Sequence, residues 1–307
     1  MILKYVRQLL ELIRFSHTVF ALPFALLAAL MAWWLGAHEQ PQVPFRVQHL
    51  VGILLCMVTA RSAAMAFNRI ADRKLDAANP RTAGRHLPTG QLSATSVAVF
   101  AAASAVAFVA STALFLPENP LPLMLAAPVL LFLLGYSFTK RFTALSHFWL
   151  GAALMLAPVS AWIALRGQVL WQSPADILPA VVLGAAVMLW VAGFDIIYAC
   201  QDAQFDRRAG LKSVPAAIGV PWALRIAAAC HAGTILLLVA LPWLYPYLGW
   251  IYGLGVGLIA VLLLFEHLLV RPDDLTRVNV AFFNVNAVIS MGLMLVVALD
   301  LFWGTGG

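Results

Sequence analysis

The sequence predicts an all-α polytopic membrane protein, a bundle of nine transmembrane helices around a central cavity with its N-terminus in the cytoplasm. Three observations predict it. Of 307 residues, 63% are hydrophobic and only 10% are charged, and the mean hydropathy is +0.91; a soluble domain carries about 25% charged residues. Nine apolar segments approach the length of about 20 residues that crosses a bilayer. Basic residues fall in alternate connections, as the positive-inside rule asks of a multi-pass chain.

Taken in order, the segments cover roughly 16–36, 48–68, 94–116, 121–139, 146–165, 177–199, 221–242, 247–269 and 279–303. An amphipathic stretch with Lys4, Arg7 and Arg14 precedes the first and suits the membrane surface. The first span, so preceded and without a small-residue cleavage site, does not read as a signal peptide. Pro and Gly punctuate several boundaries, as at Pro117-Glu118-Asn119-Pro120 and from Pro242 to Pro246. One set of connections holds Lys4, Arg7 and Arg14; Arg69, Arg73, Lys74, Arg81 and Arg85; Lys140 and Arg141; Arg207, Arg208 and Lys212; and Arg271 and Arg277. The opposite set holds only Arg46 and Arg166, while Arg61 and Arg225 fall within spans. This asymmetry puts the C-terminus outside and the charged motifs on the cytoplasmic side.

Such a chain is an integral protein of the cytoplasmic (inner) membrane, with the lipid bilayer as its partner. The net charge of +6 is split among short loops rather than gathered in a stripe, so no nucleic acid is expected as a partner. Cys56, Cys200 and Cys230 show no metal or redox spacing. The chain reads as one membrane-embedded domain, 1–307, with parallel repeats expected over 1–139 and 140–270 and an extra helix over 279–303.

The chemistry starts between Asn68 and Gly90. Asn68, Asp72 and Asp76 step by four, so a helix presents three oxygen-bearing side chains on one face. Aligned oxygens suit a hard divalent cation such as Mg2+. Arg73, Lys74, Arg81 and Arg85 add positive charge that a bound phosphate needs and a metal does not. A single row of this kind is more often a solvated helix face; a second copy shifts the balance. Asp195, Tyr198, Asp202 and Asp206 follow another apolar run at steps of three, four and four, again one face. Each row is followed by an Ala-Gly pair (Ala83-Gly84 and Ala209-Gly210), then basic residues and a Pro. Two rows at matching ends of apolar segments point to two facing metal sites around one anion.

Tyr136, Lys140 and Arg141 close the fourth span on the same side. Alone they read as a positive-inside anchor; beside acidic rows they can supply cations to a diphosphate. An ionised group at mid-bilayer costs roughly 2.5–3.5 kcal/mol, so polar residues inside spans need a reason. Arg61 lies two turns before Asn68 on the same face, where snorkelling to the interface and anion binding in a polar cavity both account for it. Arg14, Ser16 and His17 open the first span, where closing a cavity's side and, for Arg14, a plain positive-inside anchor both account for them. Asn279, Asn284 and Asn286 are expected to make helix–helix hydrogen bonds. Glu266, His267 and Asp300 read as interface residues.

In chain order, the motifs are Asn68, Asp72 and Asp76; Arg81-Thr82-Ala83-Gly84-Arg85 with Leu87-Pro88 and Gly90; Tyr136, Lys140 and Arg141; and Asp195, Tyr198, Asp202 and Asp206 with Gly210, Lys212 and Ser213. Over nearly the whole chain these resemble the UbiA superfamily of intramembrane prenyltransferases. The resemblance implies Mg2+-dependent transfer of an isoprenoid chain from a polyprenyl diphosphate to an aromatic ring. Carried onto this sequence, it gives one Mg2+ to Asn68, Asp72 and Asp76 and the other to Asp202 and Asp206. Arg85, Lys140, Arg141 and Lys212, with Tyr136 nearby, would bind the diphosphate, and Asp195 with Tyr198 would carry the catalysis.

The acceptor implied is an aromatic acid on the way to a quinone, 4-hydroxybenzoate or a dihydroxynaphthoate. A buried cation is expected to hold its carboxylate, Arg61 ahead of Arg14. Superfamily members acting on 4-hydroxybenzoate often carry Asp-Lys after the first-span Arg, where this chain has Arg14-Phe15-Ser16-His17. Arg69 also follows Asn68 where Asn-Asp is common. Both departures resemble the menaquinone branch. Haem, a chlorophyll-type ring or a lipid are the alternative acceptors. The rival of another class is an ion-coupled transporter, since intramembrane carboxylates also mark ion paths. A transporter spreads them along its route; here they gather at one end, beside phosphate-binding cations.

Overall fold

The structure is a computed structural model that describes residues 2–13, 21–40, 42–278 and 281–304. Among the described residues thirteen α-helices follow one another: α1 Ile2–Leu12, α2 Leu22–His38, α3 Val47–Ala71, α4 Arg73–Ala78, α5 Ala94–Thr112, α6 Leu121–Phe142, α7 Ser146–Leu170, α8 Leu178–Ala199, α9 Ala203–Arg208, α10 Val214–Ile218, α11 Val220–Ala240, α12 Trp250–Leu269 and α13 Asn286–Trp303. Among the described residues the β structure is confined to an isolated bridge between Arg271 and Asp274. Among the described residues eight helices are long and apolar enough to cross a membrane, and α2 is a shorter apolar helix of 17 residues. The first expected span, 16–36, is therefore seen only from residue 21 onward. Arg14, Ser16, His17 and Asn279 lie outside the described residues. The chain is an integral, multi-pass, all-helical membrane protein.

Two compact units make up the chain, Met1–Thr18 with Arg46–Phe138, and Val19–Phe45 with Thr139–Gly307. In the first, α3 packs along α5, and Ala60, Phe108 and Ala126 meet with Cys56, Val129 and Leu133 around them. The end of the amphipathic N-terminal stretch turns inward: Leu12 and Ile13 bury against Ala66, Leu92 and Val97. That apolar edge is thus covered by protein rather than laid on lipid, which holds α1 close to the segment that carries the first acidic row.

In the second unit α8 lies between α7 and α11, and α2 packs on α7 and α13. Leu183, Val187, Trp190, Val191, Ile196 and Ile197 of α8 are buried. Gly151 of α7 faces the Met188 carbonyl of α8 so closely that a Cβ would collide with it. Small residues at such crossings let membrane helices approach to packing distance. Elsewhere large apolar side chains point outward, Leu236 at 70% exposure and Trp243 at 79%, as a lipid-facing surface requires.

Three polar groups sit deeper than the sequence indicates. Arg166, expected in an outer connection, lies within α7 at 2% exposure, with its Nη2 2.6 Å and Nε 2.8 Å from the two carboxylate oxygens of Asp176. Trp162 Nε1 donates to the same carboxylate at 2.9 Å. Asp300 is buried as well: at 1% exposure it accepts from the backbone amides of Gly249 and Ile251, capping the open start of α12. Glu266 is likewise interior, accepting from Asn286 Nδ2 at 3.3 Å, while Asn286 Oδ1 accepts from Trp190 Nε1 at 2.7 Å. Asn286 therefore makes the expected helix–helix bonds.

Candidate active site

The first acidic row is built where the apolar run of α3 stops. Asp72, at φ −95° and ψ 4°, interrupts the helix, which resumes at Arg73 as α4. The break leaves the ladder intact: the Asp72 amide donates to the Asn68 carbonyl at 2.9 Å and the Asp76 amide to the Asp72 carbonyl at 2.8 Å. The step of four therefore still aligns the row. Asn68 Nδ2 donates to Asp72 Oδ2 at 2.9 Å and lies 3.5 Å from Ser137 Oγ, which turns the amide oxygen away from that carboxylate.

Asp76 is buried between two guanidinium groups. Arg85 Nη1 donates to its Oδ1 at 2.6 Å, and Arg69 Nη1 is 3.9 Å from Oδ2, which is buried and accepts no hydrogen bond. A tight series of turns returns Arg85 to the row. Asn79 Oδ1 accepts from the Arg81 amide, Thr82 Oγ1 donates to the Asp76 carbonyl at 3.0 Å, and the Arg85 amide donates to the Thr82 carbonyl. Arg73, Lys74 and Arg81 stay exposed. Arg69 is the residue that loop counting missed. It lies at 8% exposure and reaches the Leu12 carbonyl through Nε. Its signal was present, because a residue seven before Asp76 shares its helical face.

The second row repeats the device. The apolar run of α8 ends in a short 3-10 turn, Cys200–Asp202, and Asp202 sits at φ −100° and ψ 0° before α9 begins. In each row the middle Asp makes the break, and the last Asp is the fourth residue of a six-residue helix. Asp202 and Asp206 are buried, and Lys140 Nζ lies 3.4 Å from Asp206 Oδ2. Gly210, at φ +69°, turns the chain so that the Leu211 amide reaches the Asp206 carbonyl at 2.8 Å. Gly84 does not share that conformation; in the first loop the positive φ falls on Gly90. The Lys212 amide donates to the Lys140 carbonyl at 2.6 Å and its Nζ to the Phe142 carbonyl at 3.1 Å. Lys212 and Arg141 are exposed, and Tyr136 is half-buried on α6.

Tyr198 is partly buried and packs against the apolar cluster that includes Ile197, Cys200 and Val214. Asp195, one turn earlier, accepts from a residue that sequence reasoning never singled out: His147 Nδ1 is 2.7 Å from its Oδ2. His147 is fully buried at the start of α7, and its Nε2 accepts from the Val214 amide at 3.3 Å. A lone His opening an apolar span carries no periodic signal, and its partner is 48 residues away. Arg61 is half-buried in α3, with its Nε enclosed and lacking a hydrogen-bond partner.

Among the described residues no three His, Cys, Asp or Glu side chains gather into a metal-binding group. The first row instead joins two carboxylates to an amide, and its one orphaned buried atom is a carboxylate oxygen, Asp76 Oδ2. Those are the hard oxygen donors that Mg2+ takes, with waters completing its shell. The residues present fit that ion.

Residues 21–288 match the UbiA prenyltransferase family. The chain is 32% identical over 269 residues to the 4-hydroxybenzoate octaprenyltransferase of Nitrosomonas eutropha, spanning 85% of this chain and 87% of that one. Among solved structures, the apo structure of a UbiA homolog from Aeropyrum pernix K1 has a TM-score of 0.81 at 34% identity, covering 93% of this chain and 98% of that one. A UbiA homolog from Archaeoglobus fulgidus, solved bound to DMAPP and Mg2+, shares the fold with a TM-score of 0.69 at 19% identity, over 96% of this chain and 99% of the other.

Proposed function

We propose that this chain, which belongs to the UbiA prenyltransferase family, transfers a polyprenyl group from its allylic diphosphate to 4-hydroxybenzoate in ubiquinone biosynthesis. One observation carries the reading: each interrupted acidic row has a cation on its last Asp, Arg85 on Asp76 and Lys140 on Asp206. The likeness to 4-hydroxybenzoate octaprenyltransferases supports the acceptor.

In this reading Asn68, Asp72 and Asp76 hold one Mg2+ and Asp202 with Asp206 the other. When bound, Mg2+ draws charge from the diphosphate and makes it a better leaving group. Arg85 and Lys140 turn from carboxylate to phosphate oxygens as substrate arrives, and Lys212, Arg141 and the Tyr136 hydroxyl complete the anion's partners. The allylic C–O bond breaks and its electron pair leaves with the diphosphate. The phenol-activated ring carbon then supplies the pair for the new C–C bond, and the proton it sheds passes to the Asp195 carboxylate, with Tyr198 beside it. Phe194 stacks edge-on against Trp190 at 5.0 Å just before Asp195 on α8, an aromatic wall that keeps water from the allylic cation. Arg61 binds the acceptor's carboxylate; a guanidinium offers two parallel donors for that purpose.

A second acceptor, a dihydroxynaphthoate, rests on sequence resemblance alone: Arg69 follows Asn68, as in the menaquinone branch. Both substrates arrive from the cytoplasmic side of the inner membrane, with nine spans and the N-terminus in the cytoplasm. The matched breaks at Asp72 and Asp202 support parallel repeats over 1–139 and 140–270. The test is purified protein with labelled polyprenyl diphosphate, Mg2+ and each acid in turn, the product identified by mass. Product from the naphthoate alone would move the acceptor, and product from neither would remove the reading.

A further inference from the structure

The three anchored carboxylates are not anchored alike. Asp76 and Asp206 have cations as partners, whereas Asp195 is held by His147. The state of that imidazole follows from its surroundings. His147 Nε2 receives the Val214 amide hydrogen, so this nitrogen carries a lone pair and no proton. A neutral ring then keeps its proton on Nδ1, the nitrogen 2.7 Å from Asp195 Oδ2. The ring is fully buried, so it has no water to exchange these partners with. Asp195 Oδ2 is thereby fixed as the acceptor of a neutral donor, leaving Oδ1 to meet substrate.

We propose that His147 is a positioning residue for Asp195, holding the carboxylate in one rotamer and leaving its negative charge uncompensated. The inference rests on the reading of Asp195 as the group that takes the ring proton. An Arg or Lys in this place would fix the carboxylate equally well but would set a full positive charge against it. A neutral N–H fixes it without one. The far nitrogen adds a second role. Val214 directly follows Lys212 and Ser213, and the Lys212 amide is bound to the Lys140 carbonyl. His147 thus ties the base to the segment whose lysines serve the diphosphate, and sets the distance between the two halves of the reaction.

The test uses His147→Leu, which deletes both hydrogen bonds, and His147→Gln, whose amide can donate to Asp195 and accept from Val214. Each is compared with wild type and Asp195→Asn in detergent, with Mg2+, polyprenyl diphosphate and the acid that wild type prenylates. Loss of a group that orients another commonly costs about 10- to 100-fold, and His147→Leu is expected to lose that much kcat. Its KM for both substrates should stay within about threefold, and His147→Gln should recover about tenfold of the loss. A merely structural role would lower the amount of folded protein and leave kcat per folded molecule unchanged. Wild-type kcat in His147→Leu, or a folded His147→Gln no more active than His147→Leu, overturns the inference. If His147→Leu does not fold, a His147→Gln with as little activity as Asp195→Asn overturns it as well. Failure of the underlying reading looks different: wild type then transfers no prenyl group, or Asp195→Asn keeps wild-type kcat.

Discussion

Replacing Asp76 separates ligand chemistry from stability. Its carboxylate is bound by Arg85 at 2.6 Å and approached by Arg69 at 3.9 Å, with side-chain exposures of 24% and 10% for the two arginines. Asp76→Ala removes the carboxylate that Arg85 binds and Arg69 approaches. Breaking a buried pair costs about 3–5 kcal/mol, and Arg85 can still swing partly into water, so about 3 kcal/mol is expected. Asp76→Asn is milder. Its carbonyl still accepts from Arg85, and only the difference between a charge-assisted and a neutral hydrogen bond is lost, about 1 kcal/mol. The Thr82 bond is made to the Asp76 backbone and survives in both. Turnover follows charge rather than stability, because the anionic ligand is lost in either case, to a methyl group or to a neutral amide. Thermal unfolding in detergent and prenyl transfer across a Mg2+ titration, measured on the same preparations, read the two effects. The account expects a near-native Asp76→Asn that is inactive or needs far more Mg2+. Wild-type turnover and Mg2+ dependence in Asp76→Asn would refute the role given to Asp76.

Three further outcomes follow from the same structure. Asp176→Ala should destabilise the protein by about 3 kcal/mol, because it strands Arg166 at 2% exposure, while kcat per folded molecule stays unchanged; equal stability of wild type and variant would show that the pair contributes nothing. Arg61→Lys should raise KM for the aromatic acid well above any change in KM for the diphosphate, since Lys cannot make the two parallel bonds; an unchanged KM for the acid would assign Arg61 to anchoring. In sealed inverted vesicles, single cysteines at Thr89 and Ala209 should react with an impermeant probe and one at Gln168 should not; the reverse pattern would invert the topology.

The helices were legible because apolar runs and Pro-Gly punctuation mark their ends, and the acidic rows because a step of four survives the breaks at Asp72 and Asp202. The breaks themselves were not legible, since nothing in either sequence requires the helix to stop at its middle Asp. Arg166 read as a charge in an outer connection, because only folding brings Asp176 to it to share a buried bond. His147 was invisible for the same reason, its two partners lying 48 and 67 residues away. Arg69 could have been found: the helical face that aligned Asn68 with Asp76 also carries it, yet it was counted with the loop charges. Positive-inside counting and site reading compete for the same arginines, and burial decides between them.

Prenyl transfer by the purified protein tests the central claim most directly. With Mg2+, a labelled polyprenyl diphosphate and 4-hydroxybenzoate, the account predicts a prenylated acid and one diphosphate released per product, both lost on chelation and restored by added Mg2+. Unchanged substrates under those conditions, together with ion flux through the same protein in liposomes, would contradict it.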